Sequence, residues 1–222
     1  MIIPAYNEEN SIGDTVRSAW EIPGVSQVLV VDDGSGDGTA GAALGAGGEV
    51  ISLGRNRGKG GAINAGAVLV REKLVILLDA DLGGCAFRAG DLLPPVAGGL
   101  ADMTVAVFPD TGGKAGFGLV MGLASAGIKH FTGLEVSAPL SGQRAMTRRV
   151  LTECLPLAGG FGAEVDFTVR AGMKGFRIME VPVNLSHRAT GRNIQGFIHR
   201  GRQFLDVARA LWAAKRPGCG NA

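Results

Sequence analysis

Long apolar runs are missing from this 222-residue sequence. A helix that crosses a bilayer needs about 20 consecutive apolar residues. The nearest approach, residues 117–128, is 12 residues long and contains three glycines. A secretory signal peptide is not recognisable either. We therefore expect a protein that does not span a membrane and that works in the cytoplasm.

A large excess of one charge is also missing. The formal net charge is +2, which argues against a protein that binds nucleic acid through bulk charge. The basic residues are unevenly distributed, however, because residues 187–216 hold seven Lys or Arg and one acid. Cys85, Cys154 and Cys219 have neither paired nor metal-ligand spacing, which fits a reduced cytosolic setting with structural thiols.

Two common nucleotide-binding patterns are absent. The Gly-rich stretch GRNRGKGGAINAGA, residues 54–67, does not have P-loop spacing, and no G-x-G-x-x-G follows the first strand. The stretch does place Arg55, Arg57 and Lys59 at a predicted helix N-terminus, where a pyrophosphate would bind well. The alternative is a solvated basic turn.

The first half of the chain alternates short β-branched runs with helical patterns. This alternation predicts an α/β fold with a mostly parallel sheet covered on both faces. The candidate strands are residues 2–3, 28–31, 49–53, 74–78 and 103–108, and the candidate helices are 11–20, 39–46 and 60–72, with Ser11 and Thr39 as N-caps.

The pattern changes after about residue 110. A Gly-rich segment, a loop at residues 137–144, two helices and a short strand at 177–183 precede a basic helix. We expect a single domain over residues 1–222, in which residues 1–110 bind a nucleotide and residues 111–222 complete the site.

Acidic side chains follow the fourth predicted strand in VILLDADLGG. Asp79 and Asp81 stand where the apolar run ends, and ligands collect at the carboxyl ends of strands in open α/β sheets. A divalent metal, completed by a phosphate, would relieve their mutual repulsion. The alternative is a turn in which Asp79 caps a helix and Asp81 is solvated.

The ends of the first two strands also carry candidate binding residues. In PAYNEENSIGDTV, Pro4 is expected to set a turn and Tyr6 to stack on a base. In VVDDGSGDGT, Asp32 and Asp33 could accept a hydrogen bond from a nucleobase, and Thr39 would cap the next helix. The alternatives are a helix start in the first case and a capped turn in the second.

Together these stretches resemble the family 2-like glycosyltransferases of GT-A fold. P-A-Y-N-E-E, V-D-D-G-S, N-R-G-K-G-x-A-x-N-x-G and D-A-D-L occur in that order between residues 2 and 82. The resemblance implies a GT-A (Rossmann-like), mostly parallel sheet flanked by helices, and a metal, Mg²⁺ or Mn²⁺, bound through the D-x-D. Asp81 would then be a metal ligand and catalytic residue, and Asp79 would hold the ribose or the metal's waters. The implied donor site consists of Pro4, Ala5, Tyr6, Asn7, Glu8, Asp32, Asp33, Arg55, Lys59 and Asp79.

The second half resembles the polyprenyl-phosphate sugar transferases and, in places, the glucosyl-3-phosphoglycerate synthases. PLSGQRAMTRR, residues 139–149, is similar to their acceptor-side loop and contributes Ser141 and Gly142. The helix and strand at residues 160–183 would bring the catalytic candidates Glu164 and Asp166 near the sugar or acceptor; the alternative is a pair of acids at a helix N-terminus.

The stretch NLSHRATGR is expected to close the site. His187 falls where some of these enzymes supply a third metal ligand, and Arg188 and Arg192 would bind phosphate. A lone loop histidine is also often a surface residue. One departure from the family is that Gly83 and Gly84 follow Leu82 where a polar residue and Pro are frequent, which suggests a looser pocket lip.

A C-terminal amphipathic helix is predicted within residues 194–212. It would pack on the core or, as a basic interfacial helix, lie on an anionic membrane. The second alternative suits a lipid-phosphate acceptor and a peripheral location at the cytoplasmic membrane face. Whether the protein forms a homodimer is left open by the sequence.

The predicted function is a metal-dependent transfer of a hexose from a UDP- or GDP-sugar to a phosphate-bearing acceptor, such as a polyprenyl phosphate or a phosphoglycerate-like molecule, in cell envelope biogenesis. One rival is a sugar-nucleotide-binding module without turnover. A D-x-D phosphohydrolase is disfavoured, since its motif usually follows the first strand and here follows the fourth.

Overall fold

The computed structural model describes residues 1–108, 118–158 and 162–184. These residues form one open, mostly parallel sheet of seven strands with flanking helices, which confirms the predicted α/β fold. The strands are β1 Ile2–Ala5, β2 Leu29–Asp32, β3 Glu49–Ser52, β4 Leu74–Leu77, β5 Met103–Val107, β6 Arg144–Thr147 and β7 Ile178–Pro182. The helices are α1 Ile12–Trp20, α2 Thr39–Gly45, α3 Gly58–Ala67, α4 Leu93–Ala97, α5 Gly118–Thr132, α6 Arg148–Cys154 and α7 Ala163–Met173, with a 3₁₀ helix over Gly83–Leu92.

The strand order, β3-β2-β1-β4-β6-β5-β7, determines where a ligand can bind. From β1 the chain extends the sheet first toward β2 and later toward β4, and such a switch point leaves a crevice at the carboxyl ends of the strands. Strand β6 is antiparallel to both neighbours, with Arg144 opposite Leu77. Because β6 begins at the carboxyl end of β4, the loop before it reaches the same edge.

Most of the core lies in two layers, one on each face of the sheet, and a smaller cluster joins α5 to α7. Successive residues of the central strands alternate between the layers, as the two-residue repeat of a strand requires. The layer under α1 and α2 contains Ile3, Val30, Ile76 and Leu78, and the layer under α3, α6 and α7 contains Ile2, Leu29, Val31, Val75 and Leu77. Burial on both faces explains why these strands read as continuous apolar runs.

Strand β6 was missed in the sequence analysis, and three local predictions were wrong. Helix α3 ends at Ala67 rather than 72, since the chain turns back there to enter β4. Thr39 is the first residue of α2, not its N-cap; its hydroxyl accepts the Glu8 amide hydrogen at 2.8 Å and so joins two loops. Pro4 lies in β1, opposite Val31 of β2, rather than in a turn. It lies two residues after Ile2, whose pairing with Leu77 joins β1 to β4.

Within the described ranges, no helix is both long and apolar enough to cross a bilayer. Cys85 is half-buried and its Sγ donates to the Leu82 carbonyl at 2.9 Å, and Cys154 is buried. Burial raises the pKa of the Cys154 thiol to about 11, which suits the structural role predicted for it. Cys219 lies outside the described residues.

An ion pair joins the edge strand β7 to the start of β5. Arg177 donates to Asp102 Oδ1 and Oδ2, both at 3.0 Å, and its backbone N–H donates to the same carboxylate at 2.8 Å. These hydrogen bonds from Arg177 hold the pKa of Asp102 below its ordinary value of 3.8. The stabilisation is therefore present above about pH 4 and is lost as the pH falls through the depressed pKa.

We expect Asp102→Asn to reduce the free energy of unfolding by about 1 kcal/mol at pH 7, the range of well-formed but largely exposed pairs. Urea denaturation at pH 7 and near pH 3 measures this reduction in the free energy of unfolding. The difference from the unmodified protein should shrink at the lower pH, and a difference independent of pH would contradict the ionic origin.

Candidate active site

Loops from the first two strands form one wall of the crevice, and hydrogen bonds join them. Asn7 has a left-handed backbone (φ 54°), its N–H donates to Ser35 Oγ at 3.0 Å, and its Oδ1 accepts the Gly36 N–H at 2.9 Å. Tyr6 next to it is 48 % exposed. Asn7 therefore shapes this wall and leaves the Tyr6 ring available at the surface.

Asp32 and Asp33, predicted to contact a nucleobase, are both buried. Asp32 Oδ1 accepts the Ser35 N–H at 3.0 Å, and Asp33 Oδ1 accepts the Arg57 N–H at 2.8 Å. Burial raises the pKa of the Asp33 carboxyl, against the backbone hydrogen bonds that it accepts. Each aspartate thus holds a turn, while contact with a base stays a prediction.

The tip of β4 is the acidic part of the site. Burial raises the pKa of the Glu8 carboxyl, and the charges of Asp81, Asp37 and Asp79 add to this effect, against a hydrogen bond from Ser11. The Ser11 hydroxyl donates to Glu8 Oε2 at 2.6 Å. Carboxylates from three strand ends therefore repel one another here, and a cation between them would relieve that repulsion.

Lys59 occupies the centre of the site. Its Nζ lies 2.5 Å from Asp79 Oδ1 and 2.7 Å from Glu164 Oε1, so it joins the end of β4 to the first turn of α7. Burial alone would lower the pKa of this ammonium, but the charges of Asp79 and Glu164 outweigh burial and raise it above its ordinary value. The predicted diphosphate-facing lysine is thus already held by two acids, whereas Arg55 in the same loop is exposed.

A backbone contact sets the position of Lys59. The next residue, Gly60, packs against the Ala158 carbonyl so closely that a Cβ would overlap its oxygen. The Asn64 side chain holds Leu157, the residue before Ala158. Its Oδ1 accepts the Leu157 N–H at 2.8 Å, and its Nδ2 donates to the Leu157 carbonyl at 3.1 Å. The Gly-rich motif therefore docks α3 onto the 157–158 loop.

Asp166 contributes to the same contact. Its Oδ2 accepts the Ala158 N–H at 2.8 Å, and its Oδ1 accepts from Arg170 Nε at 2.8 Å. Asp166 is buried and Glu164 is half-buried, and both lie in the first helical turn of α7. Glu164 faces Lys59 while Asp166 faces the loop, so the two predicted catalytic acids have different partners.

The loop before β6 packs against the ion pair between Lys59 and Asp79. A Cβ at Gly142 would lie 2.6 and 2.7 Å from the Asp79 carboxylate oxygens and would also meet Lys59 Nζ. Ser141 is buried beside it. The structure thus places Gly142 against Asp79 and Lys59, with Ser141 next to it in the chain, while their role in binding the acceptor stays a prediction.

Two buried residues, Gln143 at the end of this loop and Arg144 at the start of β6, were missed in the sequence analysis. Gln143 Nε2 donates to Asp79 Oδ2 at 2.6 Å. Arg144 donates to the Ser141 carbonyl at 3.1 Å, to Thr168 Oγ1 at 2.9 Å and to the Glu164 carbonyl at 2.9 Å. Burial lowers the pKa of its guanidinium to about 10. The sequence signal that could have found them is the polar pair Gln143 and Arg144 directly before the apolar Ala145 and Met146, in S-G-Q-R-A-M.

The predicted third metal ligand and the predicted phosphate-binding arginines, His187, Arg188 and Arg192, lie outside the described residues, as does the predicted C-terminal helix. Among the residues that are described, no group of three His, Cys, Asp or Glu side chains could hold a metal ion. A metal at this part of the site would therefore rest on fewer protein ligands and on a bound ligand's oxygens.

Comparisons with known proteins define the class. The family model described as "Glycosyl transferase family 2" matches residues 1–96. Glycosyltransferase AglJ of Haloferax volcanii is 28 % identical over 215 residues, which cover 94 % of this chain and 70 % of that protein. Undecaprenyl-phosphate mannosyltransferase of Micrococcus luteus is 29 % identical over 233 residues, covering 98 % of this chain and 95 % of that protein.

A solved structure shares the whole fold. Glucosyl-3-phosphoglycerate synthase from Mycobacterium tuberculosis, crystallised with Mn²⁺, UDP-glucose and phosphoglyceric acid, superposes with a TM-score of 0.77 at 24 % identity. The match covers all of this chain and 79 % of that one. The chain therefore has a GT-A fold and belongs to glycosyl transferase family 2. It is a glycosyltransferase.

Proposed function

We propose that this glycosyltransferase moves a hexose from a UDP- or GDP-sugar to a phosphate-bearing acceptor and that it requires Mg²⁺ or Mn²⁺. The observation that carries the proposal is the acidic tip of β4, where Asp79 and Asp81 follow the strand and Lys59 and Gln143 hold the Asp79 carboxylate in place. Carboxylate oxygens suit hard divalent cations, which keep free positions for phosphate oxygens. The site residues therefore fit a metal-bound nucleoside diphosphate.

Asp81 would hold the metal, and Asp79 would orient the ribose or the metal's waters. When bound there, the metal would neutralise the charge that develops on the leaving diphosphate. Tyr6 would stack on the base and Asp32 and Asp33 would bound its pocket, while Arg55 would approach the diphosphate from the exposed loop. Lys59 keeps Asp79 in place, and it adds positive charge beside the same leaving group.

A phosphate-bearing acceptor agrees with the state of Glu164. Its carboxylate already accepts from Lys59, and no base is needed when the attacking group is itself an ionised phosphate, as in a polyprenyl phosphate. The Micrococcus relative is named for undecaprenyl phosphate, and the Mycobacterium structure holds phosphoglyceric acid. Both molecules carry a phosphate, which supports an acceptor of this class.

If the acceptor is lipid-linked, the enzyme would act at the cytoplasmic face of the membrane in cell envelope biogenesis. Five of the seven basic residues among 187–216 would then contact anionic lipid headgroups, and the other two, Arg188 and Arg192, would bind the acceptor or donor phosphate. His187 remains our predicted third metal ligand.

The proposal is tested by a thermal-shift panel of UDP-, GDP-, ADP- and dTDP-sugars, each with and without Mn²⁺. One or two of these donors should raise Tm, and the increase should require the metal. Asp81→Ala should weaken metal-dependent donor binding by about 100-fold, because it removes a direct ligand. Asp91→Ala, which removes an exposed acid from the 3₁₀ helix that follows, is the matched control.

Equal donor affinity in Asp81→Ala and the unmodified protein would refute the metal site. Transfer assays with polyprenyl phosphate and with phosphoglycerate then separate the two acceptors. Donor binding without any transfer or donor hydrolysis would instead identify a sugar-nucleotide-binding module.

A further inference from the structure

Gln143 is a fully buried polar side chain outside the predicted set of site residues. Its backbone is held in the sheet by the Ala106 N–H, which donates to the Gln143 carbonyl at 2.9 Å. The adjacent Arg144 fixes the loop on the other side through the Ser141 carbonyl. The Gln143 side chain therefore starts from a rigid point and has little freedom to move.

The orientation of its amide follows from its neighbours. An ionised carboxylate can only accept hydrogen bonds, so the amide NH₂ faces Asp79 Oδ2 at 2.6 Å. The amide oxygen is then turned toward the Ser141 hydroxyl at 3.5 Å. Each end of the amide thus has a partner of the required kind.

Asp79 is consequently held from two sides, with Lys59 on Oδ1 and Gln143 on Oδ2. Two donors on different oxygens fix the carboxylate plane, which one donor alone would leave free to rotate. Side chains that orient a metal-site carboxylate in this way typically change metal affinity 10- to 100-fold when they are removed.

We propose that Gln143 is a positioning residue that holds the Asp79 carboxylate in the plane required for the metal and the donor diphosphate. The inference rests on the proposed function, since it concerns the same metal-dependent site. The same loop also carries Ser141 and Gly142 against Lys59 and Asp79. A change in the acceptor-side loop would therefore alter the position of the Asp79 carboxylate and, through it, the binding of the metal and the donor.

The test replaces Gln143 with leucine, which keeps the volume and removes the donor. We expect the Mn²⁺ dissociation constant, measured by electron paramagnetic resonance of free Mn²⁺ with saturating UDP, to rise about tenfold. The Mn²⁺ concentration that gives half-maximal transfer should rise by the same factor. If Gln143→Leu does not fold, Gln143→Met removes the same donor with a more adaptable side chain.

The matched control is Thr104→Val on β5. Thr104 is also fully buried, pairs with Ala145 of β6 and donates to the Leu92 carbonyl at 2.8 Å, but it has no bond to Asp79. Thr104→Val should lower Tm, as Gln143→Leu does, while leaving Mn²⁺ affinity unchanged. In an Asp79→Ala background, Gln143→Leu should have no further effect on Mn²⁺ affinity.

Three results would overturn the inference: unchanged Mn²⁺ affinity in Gln143→Leu, an equal loss in Thr104→Val, or additive losses in the Asp79→Ala background. Failure of the proposed function gives a different result, because the unmodified protein would then bind UDP equally well with and without Mn²⁺. That outcome would remove the metal site and this role of Gln143 together.

Discussion

Lys59→Met is expected to reduce the free energy of unfolding by about 3 kcal/mol, the lower end for breaking a buried ion pair from one side. The side chains of Lys59, Asp79 and Glu164 are 25 %, 27 % and 13 % exposed, so both acids lose their partner in a place that is mostly shielded from water. Methionine fills the space of the lysine stem, and the lost charge therefore dominates the effect.

The same substitution should lower kcat by about 10²- to 10³-fold, the range for removing one preorganised charge beside a developing anion. In the unmodified protein the pKa of Lys59 is raised, so its stabilisation is fully present below 10.5 and is lost as the pH rises through the higher folded value. The stability loss should therefore be the same at pH 6 and at pH 9.

Lys129→Met is the control, because Lys129 also makes a 2.6 Å ion pair, with Glu135, but is 62 % exposed. An exposed pair contributes at most about 1 kcal/mol. Urea denaturation and steady-state transfer rates measure both variants. Similar losses of stability in the two would show that burial and the double pairing of Lys59 do not matter.

Gly60→Ala is expected to destabilise the protein by about 3 kcal/mol, at the upper end for overpacking. The new Cβ would overlap the Ala158 carbonyl oxygen and lie 2.9 Å from its carbon. The obstacle is backbone, and it cannot move freely because Asp166 holds the Ala158 N–H and Asn64 holds Leu157. Relief would require α3 to shift, which would displace Lys59 as well.

Gly41→Ala is a control of opposite sign. Gly41 is the third residue of α2, as Gly60 is of α3, but no atom lies within 4 Å of the place a Cβ would take. Alanine inside a helix is favoured over glycine by about 1 kcal/mol, so Gly41→Ala should stabilise the protein. A gain in stability from Gly60→Ala as well would mean that α3 is not docked on Ala158.

The central strands could be predicted because burial on both faces leaves a mark in a single stretch of sequence. Residues 74–78 and 28–31 are unbroken apolar runs, and the alternation of Leu29 and Val31 with Val30 between the two core layers follows from strand geometry alone. The position of Asp79 and Asp81 at a strand end was likewise local information. So was the family resemblance, since its motifs are short and contiguous.

Only the tertiary structure decided what these residues touch. Strand β6 has four residues and pairs antiparallel with β4, about 70 residues away in sequence, and with β5, about 40 residues away, and no local pattern specifies such pairing. That pairing brings Gln143 to Asp79 and anchors Arg144 beneath Glu164. The partners of Lys59 are likewise 20 or more residues away in sequence. The sequence thus determined which chemical groups stand at the strand ends, whereas long-range packing decided which of them hold the site in place and which face the substrate.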